Sequence, residues 1–437
     1  MRVELRTTDV AHGGYCVGRH DGVVVFVTGA LPGEKVVVEV TDQRSRLWFG
    51  RVVEVLEASP DRVDHVWGLA ERAGVGGVDL GHVSLDAGRH WKARVIETQL
   101  ARLAHVNRQV TVEAAPGDED RHGLAWRTRV TFQIDDQGRL GMYAAKSHQI
   151  VPIDGMPLAH EDIQAELARV IQAGGMPEAA GGSVTYVRAS GSGLTVMVDP
   201  PSRSSQVAGG GKRASGTGPS RLGRRGSGAG DRVKGEFCAR GAGGLSSSSR
   251  PVKEVVVTRF GTWTYDVAAD GFWQVHREAP QVLVSAVMEA VEQTSGPIWD
   301  LYAGAGLFTV PLAASTTGTV TAVESAPAGV AWLKRNTAAY DVHCVSGDVT
   351  RALSWAEPTP HGVIVCDPPR NGAGRQAVAQ MARLGLDRIV YVACDPAAFA
   401  RDVNLFAAFN YELAALRAFD LFPLTHHVEC VGQLVRR

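Results

Sequence analysis

One cysteine near the C-terminal end of the chain lies where it could act as a nucleophile. Cys394 follows the apolar run IVYVA (389–393), and Pro396 comes two residues later. This order predicts that Cys394 lies at the carboxyl end of a strand and just before a helix. A thiol in that setting is expected to have a lowered pKa and to react as the thiolate. The alternative is that Cys394 is a small core residue, as we expect for the cysteine at 366.

A carboxylate in the last segment of the chain could act as a general base. Glu429 stands among apolar residues in HHVECV (426–431). Burying an isolated carboxylate costs free energy, so its presence there needs a reason. A base with a raised pKa is one such reason. Cys394 and Glu429 together would supply one soft nucleophile and one proton acceptor.

A glycine-containing turn upstream is suited to a nucleoside cofactor. The segment DLYAGAGLFTVPLA (300–313) is predicted to pass from a strand through Gly304 and Gly306 into a helix. Glycines allow the backbone to approach a ligand closely. A dinucleotide fingerprint requires a third glycine where this chain has Thr309. The motif therefore favours S-adenosylmethionine (SAM) over NAD and argues against an NAD oxidoreductase.

Three acidic residues end successive predicted strands. Glu324 is suited to the ribose hydroxyls of a nucleoside, and Asp348 to an adenine amino group. Asp367 precedes two prolines that fix a rigid turn at the cofactor edge. Arg370 follows the prolines in place of an aromatic residue, which argues against methylation of a base nitrogen. Each acid alone would be a solvated loop residue, whereas together they favour a nucleoside site.

Four regions are predicted to position these residues. We predict an all-β barrel over 1–60, an α+β domain over 61–200 with a helix at 83–105, a low-complexity insertion over 201–250, and a doubly wound α/β domain over 251–437. The insertion holds 13 Gly and 10 Ser with a net charge of +8, so we expect a disordered loop insertion. An alternative for the insertion is an Arg-rich arm that attracts phosphates.

Composition excludes several classes of protein. The 437 residues carry 45 Lys and Arg against 46 Asp and Glu, so the chain is not globally basic. It contains no apolar run of the roughly 18 residues that a membrane helix needs. Its six cysteines form no Cys-x-x-Cys pair, so we predict no metal site and reduced thiols in the cytoplasm.

Five motifs, in this order and spacing, resemble the RNA 5-methyluridine methyltransferases. They are GFWQVH (271–276), DLYAGAGLFTVPLA (300–313), CDPPRNGAG (366–374), VACDPAAFARDV (392–403) and HHVECV (426–431). The N-terminal segment, with Gly13-Gly14 and Leu31-Pro32-Gly33-Glu34, resembles the TRAM domain that often precedes them. The resemblance implies an OB-fold TRAM barrel, an α+β central domain and a Rossmann-like SAM methyltransferase domain.

The resemblance also implies a role for individual residues. Cys394 falls on the nucleophile that adds to C6 of uracil, and Glu429 on the base that removes the C5 proton. Cofactor contacts fall on Gln274, Tyr302, Glu324 and Asp367, with Gly304, Gly306 and Asp348 beside them. The chain departs from the family at Asp395, where many members have Asn. The implied partner is RNA, with the target uridine unfolded or flipped out, and no obligate protein partner.

One stretch departs from the family in a way that bears on cofactors. Many members bind an iron–sulfur cluster through four cysteines just after the TRAM domain. The matching stretch here is RAGVGGVDLGH (72–82), with Val75 and Val78 where thiolates would be needed. Because a cluster requires thiolate ligands, we predict none.

Three functional hypotheses follow from the sequence. The first is SAM-dependent methylation of uridine C5 in ribosomal RNA, and the second is the same reaction on transfer RNA. The third, from a different class, is a non-catalytic RNA-binding protein that retains the fold. That third hypothesis requires a missing nucleophile or base, whereas both Cys394 and Glu429 are present.

Overall fold

The computed structural model describes residues 1–145, 147–201, 251–291, 296–359 and 361–437. Apart from Pro201, the insertion predicted over 201–250 lies outside the described residues. In the described ranges, no helix is both long and apolar enough to cross a membrane.

The N-terminal residues form a closed barrel of five strands. The strands are β1 (Arg2–Ala11), β2 (Tyr15–His20), β3 (Val23–Thr28), β4 (Lys35–Arg44) and β5 (Leu47–Glu57). Their order around the barrel is β1-β2-β3-β5-β4. Alternate side chains of β3 and β4 point inward, because successive residues of a strand face opposite sides. The fully buried members are Val25, Val27, Val36 and Val38. The alternating β-branched runs of the sequence therefore predicted this barrel correctly.

A helix connects the barrel to the C-terminal sheet by packing on both. After the short α1 (Gly68–Ala73), α2 (Leu85–Gln99) continues into a π-helical turn at Leu100–Ala104. Trp91 belongs to the barrel core and Ile96 to a core that the C-terminal sheet shares. The buried Lys92 donates hydrogen bonds to Asp420 and to the carbonyl oxygen of Phe422, at 2.5 and 3.0 Å. This buried ion pair fixes the helix against the C-terminal domain.

The central region forms an antiparallel sheet with a helix beside it. Its elements are β6 (Val112–Ala114), β7 (Arg129–Ile134), β8 (Leu140–Tyr143), β9 (Ile150–Pro152), α3 (Glu161–Gln172), β10 (Ser183–Ala189) and β11 (Gly193–Asp199). The sheet order is β11-β10-β7-β8-β9. Trp126, Phe132 and Tyr186 fill a core that includes Ile163 and Leu167 of α3. The strand β6 is separate, because it belongs to the C-terminal sheet.

The C-terminal region is the predicted doubly wound α/β domain. Two paired strands come first, followed by helices and strands that alternate along the chain. The elements are β12 (Pro251–Thr258), β13 (Gly261–Ala268), α4 (Ala279–Val291), β14 (Ile298–Leu301), α5 (Thr309–Ser315), β15 (Val320–Glu324), α6 (Pro327–Asn336), β16 (Val342–Ser346), α7 (Val349–Ser354), β17 (Val363–Cys366), α8 (Gly374–Arg383), β18 (Arg388–Ala393), α9 (Pro396–Ala407), β19 (Tyr411–Asp420) and β20 (Glu429–Arg436).

Eight strands form the C-terminal sheet, in the order β16-β15-β14-β17-β18-β20-β19-β6. Strands β14 to β18 are parallel to one another, and β20 runs antiparallel between β18 and β19. After β14, the chain adds β15 and β16 on one side of β14 and then adds β17 on its other side. Ligands of open α/β sheets bind outside the carboxyl ends of the strands at such a reversal. The crevice is therefore expected between the ends of β14 and β17.

One strand of this sheet comes from outside the region predicted for the domain. β6 lies within 61–200, yet it pairs in parallel with β19. A strand of three residues is too short to show a period of hydrophobicity, so no pattern in the chain indicated it. We propose that the chain folds as units divided at residues 60, 200 and 250, as predicted. The exception is β6, which lies within residues 61–200 but joins the sheet of the C-terminal unit.

Candidate active site

Three residues in the turn after β14 have a positive backbone φ angle. Tyr302, Gly304 and Gly306 have φ values of 64°, 56° and 93°. A positive φ costs glycine little, whereas for tyrosine it is uncommon. Helix α5 begins only at Thr309, so the turn rather than the helix end faces the crevice. Asp300, at the end of β14, is buried and accepts a hydrogen bond from the Thr309 hydroxyl.

The acid that ends β15 is fixed by this same turn. The two carboxylate oxygens of Glu324 accept hydrogen bonds from the backbone N–H of Gly304 at 2.8 Å and of Ala326 at 2.6 Å. Glu324 is 9 % exposed. The structure therefore brings Glu324, Gly304 and Gly306 together, as the sequence predicts for a nucleoside site.

The other acids lie at the ends of the neighbouring strands. Asp367 is half-buried after β17, and its backbone N–H donates to the carbonyl oxygen of Leu301 on β14. Asp348 is exposed after β16, and its carboxylate caps α7 by accepting from the N–H of Arg351 at 3.1 Å. The negative charge of Asp348 contributes to raising the pKa of Tyr302, although burial contributes most. Asp348 and Tyr302 are therefore close to each other.

Gln274 is the one predicted cofactor contact that the structure places elsewhere. It is buried in the loop between β13 and α4 and lines a cavity of about 220 Å³. The other walls of that cavity include Thr128, His160 and Glu254, and none of the strand-end carboxylates. The neighbouring Trp273 packs on Tyr265, whose hydroxyl donates to the carbonyl oxygen of Leu307 just after the glycine turn. The connection of Gln274 to the crevice is thus indirect.

Cys394 directly follows β18, and Glu429 begins β20, the strand that pairs with β18. Strands β18 and β20 pair with Ala393 opposite Cys430. One further step in this antiparallel register sets Cys394 opposite Glu429, and side chains at opposite positions lie on the same face of a sheet. Glu429 is 5 % exposed, and Cys394 is half-buried. The two residues predicted for chemistry are therefore neighbours, although 34 positions separate them in the sequence.

The expectation of a lowered thiol pKa at Cys394 was wrong. Burial raises the pKa of Cys394 to about 12, and the charges of Glu429 and Asp367 add to this effect. Burial also raises the pKa of Glu429 well above its usual value, with Asp367 again contributing. The position before helix α9 therefore does not give this thiol a lowered pKa, because burial dominates. Arg370 is the cation that opposes the shift at both residues.

Arg370 and Arg127 contribute positive charge near the site, which the sequence did not predict. Arg370 is exposed after the two prolines, and its charge acts on Cys394, Glu429 and His427. Arg127, from the central region, is half-buried, and its pKa is lowered by burial and by the nearby Arg370. The charges of two arginines from different regions of the chain therefore lie near each other.

A buried aspartate anchors the loop that carries Arg370. Asp402 of α9 accepts hydrogen bonds from the backbone N–H of Ala373 at 2.7 Å and from the hydroxyl of Tyr391 at 2.5 Å. A side chain at Gly372 would bring Cβ within 2.6 Å of the Asp402 carboxylate, so only glycine fits there. The motif CDPPRNGAG indicated this turn, but not the residue that fixes it.

The N-terminal barrel contacts the segment next to the cysteine. His12 Nε2 lies 2.9 Å from Asp395 Oδ2, and Asp395 also caps α9 by accepting from the N–H of Ala398. Close by, Asp79 pairs with His426, three residues before Glu429. No local pattern could have predicted these contacts, because they join distant parts of the chain.

The valines at the cluster positions are core residues. Val75 and Val78 are 5 % and 2 % exposed and pack in the core of the central region. Across the described ranges, no group of three or more His, Cys, Asp or Glu is arranged to hold a metal ion. That the protein has no iron–sulfur cluster remains a prediction from the residue types.

The crevice is electrostatically suited to a cationic cofactor. Burial raises the pKa of Asp300 to about 7, and the charges of Asp367 and Glu324 contribute. Burial alone raises the pKa of Asp367 to about 7. Within the described residues, Asp300 Oδ1 is buried without a hydrogen-bond partner. A positive charge placed here would relieve the repulsion among these carboxylates.

We expect the affinity for SAM to depend on pH more strongly than that for S-adenosylhomocysteine, which lacks the sulfonium charge. At pH 6 the carboxyls of pKa about 7 are largely neutral, and at pH 8 they are largely ionised. The ratio of the two affinities should therefore rise in favour of SAM between these values, by roughly threefold to tenfold, or about 0.6–1.4 kcal/mol. Calorimetric titration at both pH values measures this. Asp367→Asn should flatten the dependence, and an equal change for both ligands would contradict the interpretation.

The two ends of the chain match families of known proteins. A family described as the TRAM domain matches residues 1–53, and one described as tRNA (Uracil-5-)-methyltransferase matches residues 359–437. An uncharacterized RNA methyltransferase of Bifidobacterium longum is 37% identical over 100% of this chain and 97% of its own length. One from Streptomyces coelicolor is 38% identical over 99% of this chain and 92% of its own length.

A solved structure agrees with the fold over the whole chain. The tRNA (uracil-54, C5)-methyltransferase of Pyrococcus abyssi, in complex with S-adenosylhomocysteine, has a TM-score of 0.67, with 21% identity and 100% of both chains covered. The barrel followed by this mixed sheet has the fold of that structure, and the chain carries a TRAM domain at its N-terminal end. The chain belongs to the family of these RNA methyltransferases. The fold predicted from the sequence is thus confirmed.

Proposed function

We propose that this enzyme transfers a methyl group from SAM to C5 of a uridine in RNA through a covalent intermediate on Cys394. The observation that carries the proposal is that Cys394, just after β18, lies near Glu429, the first residue of the paired strand β20, at the crevice end of the sheet. Uracil C5 is a poor nucleophile, so the reaction needs both a group that adds to C6 and a base that removes the C5 proton. The crevice offers one of each, and the two lie near each other.

We assign the cofactor contacts to the turn and to the strand-end acids. Tyr302, Gly304, Gly306, Glu324 and Asp367 border the crevice directly, and Asp348 lies at its edge. Bound SAM supplies an electrophilic methyl group on a sulfonium. Asp367 and Asp300 would favour that positive charge, while Glu324 is already oriented by two backbone hydrogen bonds. We also propose Gln274 as a cofactor contact, because its loop is connected to the glycine turn through Trp273 and Tyr265.

The covalent steps use two side chains. The Cys394 thiolate adds to C6, and the π electrons of the 5,6 double bond move toward O4, so C5 becomes nucleophilic. After C5 has taken the methyl group, the Glu429 carboxylate removes the C5 proton. The sulfur then leaves C6 with its electron pair, which restores the double bond and the thiolate. Glu429 passes the proton to solvent, so each turnover releases one proton.

The positive charge of Arg370 is well placed for these steps. Its charge lowers the pKa of Cys394, which favours the thiolate, and lowers that of Glu429, which favours the carboxylate. Both groups must be deprotonated to act, whereas burial favours their protonated forms. Arg370 is therefore the side chain that opposes burial at the nucleophile and at the base. Arg127 would add positive charge for an RNA phosphate on the same side.

The substrate uridine is proposed to lie in ribosomal RNA, with transfer RNA as the second candidate. The second candidate is supported by the description of the matching family and by the Pyrococcus abyssi enzyme, both of which name transfer RNA. Mass mapping of 5-methyluridine in both RNA fractions, from cells with and without this gene, distinguishes the two. Loss of the methyl group from one fraction identifies the substrate. Unchanged 5-methyluridine in all RNA would refute the proposed reaction.

A further inference from the structure

The turn between the first two strands of the barrel reaches the segment that carries the proposed nucleophile. In this barrel turn (residues 12–14), His12 Nε2 lies 2.9 Å from Oδ2 of Asp395, the residue after Cys394. A carboxylate only accepts hydrogen bonds, so the imidazole donates this one. The other carboxylate oxygen, Oδ1, accepts from the N–H of Ala398 at 2.7 Å. Both oxygens of Asp395 are therefore fixed, one by the barrel and one by the helix that follows the cysteine.

The segment that leads to the proposed base is held by a different part of the chain. We call residues 421–428 the base loop, because they connect β19 to Glu429, the first residue of β20. Asp79, from the loop between α1 and α2, accepts a hydrogen bond at 2.9 Å from the backbone N–H of His426. The same carboxylate oxygen also contacts Nδ1 of the His426 ring. One carboxylate thus fixes both the backbone and the side chain of a residue three positions before the base.

The base loop has a backbone conformation that its surroundings must fix. Leu424 has a φ of 64°, which is uncommon for leucine. Its carbonyl oxygen accepts a hydrogen bond from the N–H of Leu80 at 3.0 Å, and its side chain is buried in the same core as Val75 and Val78. A conformation of this kind persists where neighbouring groups over-determine it. The stretch around Asp79 supplies these groups.

The barrel turn also packs against the contact between Asp79 and His426. Gly14 is buried, and a Cβ atom built on it would lie 3.1 Å from Asp79 Oδ2 and 3.4 Å from Cβ of His426. The ring of His426 in turn packs on that of His427, with centroids 4.2 Å apart. One turn of the barrel therefore contacts the segment of the nucleophile and the segment of the base, from outside the domain that carries both.

We propose that His12 and Asp79 are positioning residues for methyl transfer. His12 orients the segment of Cys394 through Asp395, and Asp79 orients the segment of Glu429 through His426. The inference rests on the proposed function, since it concerns the same nucleophile and base. A displacement of about 1 Å at a reacting group can cost roughly a hundredfold in rate, so contacts that fix two separate segments should matter for turnover.

Single-turnover rates at excess SAM and RNA test this proposal, with RNA isolated from cells that lack this gene. His12→Ala should slow adduct formation at Cys394 with the same RNA containing 5-fluorouridine by roughly tenfold. Asp79→Ala should slow removal of the C5 proton by roughly tenfold to a hundredfold, so a methylated adduct with ordinary RNA should accumulate transiently. The dissociation constants of SAM and RNA should stay within about twofold, because neither residue is placed in a binding site.

Conservative variants should restore much of the lost rate. The side-chain amide of His12→Gln can still donate to Asp395, and the amide oxygen of Asp79→Asn can still accept from His426. The matched control is the exposed pair of His361 Nδ1 and Asp387 Oδ2, which are 3.1 Å apart. These two residues precede β17 and β18, at the end of the sheet away from the crevice. His361→Ala and Asp387→Ala should therefore leave the rates unchanged.

The outcomes separate this inference from the proposed reaction. Unchanged single-turnover rates in His12→Ala and Asp79→Ala would overturn it, and so would a loss confined to RNA affinity. A lower melting temperature with unchanged rates would also overturn it, because the two contacts would then serve stability alone. A Cys394→Ala enzyme that still methylates RNA would refute the reaction itself. An inactive Cys394→Ala beside fully active His12→Ala and Asp79→Ala would refute the positioning role alone.

Discussion

Replacing Cys394 with alanine should reduce methyl transfer by about four orders of magnitude while SAM binding stays unchanged. A covalent route disappears when its nucleophile is removed, and the remaining groups cannot make uracil C5 reactive enough. Cys394 is half-buried at the crevice, so the small loss of volume should leave the fold intact. Single-turnover transfer of labelled methyl to RNA measures the loss, and calorimetry with SAM shows that the cofactor site is intact.

Cys430 provides the matched control for this variant. It follows Glu429 on β20, so its side chain points to the other face of the sheet, where it is fully buried in a hydrophobic core. Cys430→Ala should keep substantial activity and lose only a little stability. Loss of activity in Cys430→Ala with retention in Cys394→Ala would reverse the assignment of the nucleophile.

Replacing Glu429 with glutamine should stop the reaction at a different stage. The amide cannot accept the C5 proton, whereas addition by Cys394 and methyl transfer remain open. A methylated covalent adduct between enzyme and RNA should therefore accumulate, at close to one per enzyme. Denaturing gels and intact mass measure it, with the added methyl group as the distinguishing feature.

The fold of the Glu429→Gln protein should stay intact, so that a loss of turnover reflects the missing base. Burial already raises the pKa of Glu429 well above its usual value, so a neutral amide of the same shape should be tolerated. Glu412→Gln, on the exposed side of the neighbouring β19, should form no adduct and keep its activity. An inactive Glu429→Gln protein that binds RNA and SAM but forms no adduct would show that Glu429 acts before methyl transfer.

Much of the crevice could be predicted because its residues are encoded locally. Glu324, Asp348 and Asp367 each follow an apolar run, and parallel strands bring their carboxyl ends to one edge of the sheet. The barrel could be predicted equally well, since β3 and β4 contain runs of β-branched residues.

The rest depends on contacts between distant parts of the chain. Cys394 and Glu429 become neighbours only because β20 inserts between β18 and β19, which no local pattern encodes. The pKa of Cys394 was predicted in the wrong direction because the sequence indicates the helix that follows but not the burial of the thiol or the nearby charges of Glu429 and Asp367. The pairing of His12 with Asp395 spans the barrel and the catalytic domain.

RNA containing 5-fluorouridine tests the central claim, covalent catalysis by Cys394, most directly. Fluorine cannot leave C5 as a cation, so the unmodified enzyme should stop after methyl transfer and remain attached through sulfur to C6. Peptide mass mapping should then place the RNA adduct on Cys394 of the sequence VACDPAAF. An adduct on Cys430 or Cys366, or no adduct from an enzyme that methylates ordinary uridine, would contradict this account.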